Sequence, residues 1–131
     1  MKLLFAAEDT IIGIICGLLL IGFTGRFFSL RLSDIIYVIA FVIYGFFILL
    51  DIFNEIKDLT THFGFILFSL LHSLVDLGIA LAVISNFSGW NIPYITPNLV
   101  PYLQNSDVVF YAGAFLVVGN AIWLILYPFL D

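Results

Sequence analysis

Ser69, His72, Ser73 and Asp76 fall three, four and seven residues apart inside the apolar stretch from His62 to Phe87, so on a helix their side chains share one face. The opposite face of that stretch is almost wholly apolar. A hydroxyl, an imidazole and a carboxyl on one helix face can pass protons, hold a cation, or lock helices together by hydrogen bonds. At bilayer depth an unpaired carboxyl costs on the order of a few kcal/mol, so Asp76 is expected to face protein or a wet cavity. It should be neutral there, or hydrogen-bonded to His72 or Asn120.

A second polar stripe precedes the first. Tyr37, Tyr44, Asp51 and Asp58 recur every seven residues, and Glu55 follows Asp51 by four. In an antiparallel hairpin turning near residue 60, Tyr44 would lie level with Asp76, Asp51 with Ser69, and Asp58 with His62. The two stripes are therefore expected to meet inside the protein, with Asp51 in reach of Ser69 or His72 and Tyr44 close to Asp76. A competing reading makes Asp51, Glu55, Lys57 and Asp58 a solvated helix end. Asn120 falls near mid-depth in the last apolar run, at the level of Asp76, Tyr44 and Cys16.

Three chemistries follow from these residues. Asp76, His72, Ser69, Asp51, Glu55, Tyr44 and Asn120 can form a ladder of exchangeable groups leading from water to mid-membrane, as a proton or cation path requires. The same residues can instead be structural, with the His72 and Asp76 pair satisfying both groups at helical spacing. As a third possibility, His72 and Asp76 with Asp51 or Glu55 make an N and O ligand set for a metal, or His62 or His72 an axial ligand for haem or another tetrapyrrole, in a membrane enzyme or electron-transfer subunit. No HExxH, CxxC, phosphate-binding Gly-rich loop or GxSxG occurs, so no cofactor is required and no recognised catalytic machinery is present.

Composition fixes the setting. Of 131 residues, 63% are hydrophobic and 10% charged, more apolar surface than one soluble core of this size can hide. Nine acids against four bases leave a net charge of −5, which argues against nucleic acid as a partner and against a polybasic lipid-binding tail. The single cysteine, Cys16, excludes an intrachain disulfide, and its apolar surroundings read as a buried thiol.

The elements that would position these residues are four apolar helices in one domain, spanning about residues 8–29, 34–56, 62–86 and 107–130. The N-terminus opens like a signal peptide, but Glu8 and Asp9 cut its apolar core short, so it is expected to remain as the first helix. Glu8 and Asp9 then fall in that helix's first turn, and Arg26 snorkels from its last. Gly13 and Gly17 form a small-xxx-small step that permits a close helix neighbour. Pro93, Pro97 and Pro101, interleaved with Trp90, Tyr94 and Tyr102, forbid a regular span between the third and fourth helices and suggest an interfacial loop. Four spans put both termini on one side, and the basic residues lean them outward.

The expectation is an all-α integral membrane four-helix bundle, a subunit of a larger complex or a homo-oligomer in the cell membrane. Its partners are then lipid and other membrane chains or copies of itself.

Overall fold

A computed structural model describes residues 2–57 and 63–130, with side chains over 8–56 and 67–125. Asp58 and His62 lie outside the described residues. The elements are α1 (Lys2–Thr24), α2 (Asp34–Lys57), α3 (Phe63–Ser88), a short α4 (Ile95–Leu99), a 3-10 turn (Val100–Gln104) and α5 (Ser106–Leu130). Three of them, within Asp34–Ile56, Leu67–Ser88 and Ser106–Ile125, are long and apolar enough to cross a membrane.

Local chemistry sets the boundaries. Gly25, at φ 73°, ends α1 in the left-handed conformation that glycine adopts freely, and Gly89, at φ 75°, ends α3 the same way. The helix expected over 8–29 therefore stops at Thr24 and begins at Lys2. As a result Asp9 lies not in the first turn but about 10 Å along the helix. Asn105 accepts the Asp107 backbone N–H at 2.9 Å and so opens α5.

The proline-rich connection is more regular than its composition suggests. Pro97 lies in the first turn of α4, and a proline also opens the 3-10 turn, positions where the missing N–H costs little. Thr96 folds the segment back onto α3: its hydroxyl accepts the Ile92 N–H at 2.7 Å and lies 2.6 Å from the Ser85 hydroxyl, which itself donates to the Trp90 carbonyl.

α1 packs against α5 and, less extensively, α2, while α2 packs along α3. The α1–α5 contact brings backbones together at Gly17 and Gly113, where a Cβ on either would lie 2.6 to 2.8 Å from the carbonyl oxygen of the other. α2 buries Tyr37, Phe41, Tyr44 and Ile48, spaced by three or four residues, against Cys16, Leu20, Ala80, Val83 and Leu116. Its outward face carries Ile35, Ile39, Val42, Phe46 and Phe53, an apolar surface suited to lipid rather than water. Among the described residues α3 and α5 meet through side chains. Their seam holds two apolar clefts, of about 300 and 370 Å³.

Candidate functional site

The stripes on α2 and α3 face each other. Ser69 donates to Glu55 Oε1 at 2.5 Å, and Ser73 lies 3.4 Å from both Asp51 Oδ2 and Glu55 Oε1. Tyr44 lies beside Asp76. Asp51, however, reaches Ser73 rather than Ser69, whose partner is Glu55, so these two pairs are one turn away from equal depth while Tyr44 and Asp76 are level. The cause is geometric. Every Cα–Cβ bond leans toward its helix N-terminus, which carries α2 side chains away from the connecting turn and α3 side chains toward it. A side chain on α2 therefore meets one that leaves α3 further from the turn.

His72 Nδ1 lies 3.1 Å from Asp76 Oδ2, the i,i+4 pair expected from the spacing. Asn120 does not reach Asp76. Its amide donates to the Tyr44 hydroxyl at 3.1 Å and to the Leu116 carbonyl at 2.6 Å, so it touches the acid only through Tyr44. The His72 ring stacks on Phe115 at 5.1 Å and meets Trp123 at 6.0 Å. Its Nε2 faces Gly119, where a single added methyl would collide with it. That side of the imidazole is covered by α5. Among the described residues no group of three His, Cys, Asp or Glu side chains is arranged to hold a metal ion.

Asp9 belongs to the site although its position near the start of the sequence hid it. It is 8% exposed, and the acids whose charges act on it are Asp51, Asp76 and Glu55. The missed signal was helical phase: Asp9, Gly13 and Gly17 are spaced by four, so the face that packs closely against α5 also carries Asp9 inward. Its neighbour Glu8 is exposed. Two glycines were likewise missed as parts of the site. Gly13 leaves room for Asn120 and Tyr44, and Gly119 for His72.

Asp9 Oδ1, Glu55 Oε2, His72 Nε2 and Asp76 Oδ1 are buried with no protein donor fixed on them in hydrogen-bonding geometry, although Glu55 also neighbours Asp51 and Asp76 neighbours Tyr44. All four belong to this site. Each orphaned polar group costs about 1–3 kcal/mol, more when charged. Measured along each helix from the α2–α3 connection, Glu55, Asp51 and Asp76 lie about 3, 9 and 20 Å inward. Carboxyl, hydroxyl and imidazole groups therefore succeed one another from the end of the molecule to its middle. The basic side chains described, Arg26 and Arg31, are at the opposite end, where Arg26 pairs with Asp107 and Arg31 lies over the Phe23 ring.

The chain matches no described protein family, no characterised protein and no solved structure.

Proposed function

We propose that this chain is a four-span protein of the cell membrane whose buried acids take up and release protons from the side on which α2 and α3 are joined. α1 supplies the fourth span. The path begins at Glu55 and Asp51, continues through Ser69 and Ser73, and ends at the Asp76 and His72 pair. Asp9 adds a further acid from α1. What supports this reading is the gathering of Asp9, Asp51, Glu55 and Asp76 at one site with no Lys or Arg among the described side chains beside them, because carboxyls packed together away from water without a countercharge cannot all be ionised and must hold protons.

The site ends at mid-depth. Next to Tyr44 and Asn120 toward the far end come Cys16, Phe41, Leu20, Val83 and Leu116, a layer in which the one polar group among the described residues is a thiol engaged with the Ala40 carbonyl, and Tyr37 and Ser85 lie past it. The chain thus loads protons and does not conduct them alone, and it works as a subunit of a larger membrane complex or as a homo-oligomer. Protein reconstituted in vesicles with a pH-sensitive dye tests the reading. An acid jump should give a bounded proton uptake that Asp76→Asn reduces without unfolding the protein. Equal uptake by the two proteins would refute it.

A further inference from the structure

The inner end of the acid ladder holds a donor and an acceptor that match. Asn120 gives one amide hydrogen to the Tyr44 hydroxyl oxygen, at 3.1 Å, and its nitrogen also lies 2.6 Å from the Leu116 carbonyl, so both hydrogens are engaged. A phenol oxygen that accepts a hydrogen bond still has its own hydrogen to place. Tyr44 is fully buried, and the acid beside it is Asp76. Asp76 has one oxygen held by His72 Nδ1 and the other, Oδ1, buried without a partner. The arrangement depends on Gly13: a Cβ there would lie 2.8 Å from the Tyr44 oxygen and collide with the Asn120 amide.

Resting on the proton-exchange reading above, we propose that Tyr44 is a positioning residue, held by Asn120 in the space that Gly13 leaves, which directs its hydroxyl hydrogen to Asp76 Oδ1. Asn120 acts as the orienting group because it can donate to Tyr44 while its carbonyl is not needed there. The hydroxyl then has one productive direction, and Asp76 accepts from Tyr44 on one oxygen and from His72 on the other. The remaining titratable groups around Asp76 are Asp9 on α1 and Asp51 on α2, with Glu55 beyond Asp51. From α5 the neighbour is the neutral Asn120. The inner terminus of the path is thereby built from all four long helices, with glycine at the point where α1 must come closest.

Infrared spectroscopy of the full chain in lipid bilayers, recorded over a pH titration, tests this. The carboxyl C=O band of Asp76 is identified by its loss in Asp76→Asn. In Tyr44→Phe, which keeps the ring and its packing, that band should move to higher wavenumber, because a carbonyl that loses a hydrogen bond stiffens. Asn120→Leu should shift it in the same direction while leaving Tyr44 in place. Gly13→Ala should also shift it, whereas Gly45→Ala, whose added methyl meets nothing within 4 Å, should not. A band that titrates but stays unmoved in folded Tyr44→Phe and Asn120→Leu would overturn the role of Tyr44 and leave proton exchange standing. If no Asp76 band titrates at any pH, the proton-exchange reading fails and the role of Tyr44 falls with it.

Discussion

The two ends of the helix assembly solve the burial of polar groups in opposite ways. At the end holding Gly25 and Gly89, Tyr37 stacks on Phe87 at 4.6 Å and meets Phe23 edge-on at 5.7 Å. Its hydroxyl donates to the Leu30 carbonyl at 3.2 Å and accepts the Leu32 N–H at 3.3 Å. Ser85 and Thr96 tie the connection down, and Arg26 pairs with Asp107. Among the described residues no buried side-chain atom at that end lacks a partner. At the other end three carboxyl oxygens and one imidazole nitrogen do. One chain can satisfy its buried polar groups, so the end where it does not is the one where we propose that stability gives way to chemistry.

The difference can be broken from the aromatic side first, where the largest effects are expected. Tyr37→Ala removes a stacked ring and two hydrogen bonds and should cost about 3–5 kcal/mol, read as unfolding in a denaturing detergent titration. Gly17→Val forces a branched side chain against the Gly113 carbonyl and should cost about 1–3 kcal/mol or more, with α1 and α5 separating. Tyr37→Ala touches no group on the proposed proton path, so where that variant stays folded its proton uptake should be intact.

The acidic end should respond in the opposite sense. Asp76→Asn keeps a polar group beside Tyr44 and His72 and should change stability by less than about 1 kcal/mol, while proton uptake falls. Asp9→Asn should behave alike, since its Oδ1 has no partner to lose. The smallest effect is expected for Ser73→Ala: its two contacts are long, at 3.4 Å, so stability should drop by about 0.5 kcal/mol or less. Its signature should be kinetic, a slower approach to the same total uptake.

The facing of α2 and α3 was legible because both stripes repeat at helical spacing and a short connection forces them antiparallel. The one-turn offset was not, since residue numbers count Cα positions while contacts are made by side chains that lean. Asp9 was misassigned through a boundary: with α1 beginning at Lys2, an acid read as dipole-facing becomes an acid facing inward. His72 and Asn120 were alternative partners for Asp76; His72 is the one that meets it, and Asn120 stops at the Tyr44 hydroxyl in front of it, which nothing in spacing distinguishes from Asp76. The prolines after Trp90 ruled out a regular span there, and only a short helix and a 3-10 turn form. They did not reveal α4, because a proline in a helix's first turn has the same composition as one that breaks a helix.

The central claim, that the acidic end exists to exchange protons, is tested most directly by counting protons. Potentiometric titration of the bilayer-reconstituted protein is compared with that of a variant carrying Asp9→Asn, Asp51→Asn, Glu55→Gln and Asp76→Asn together, each shown to be folded by its helical circular dichroism. The native chain should reversibly bind protons that the variant does not, over a pH range in which both stay folded. Superimposable titration curves would contradict the account and leave the acids as an unexplained cost to the fold.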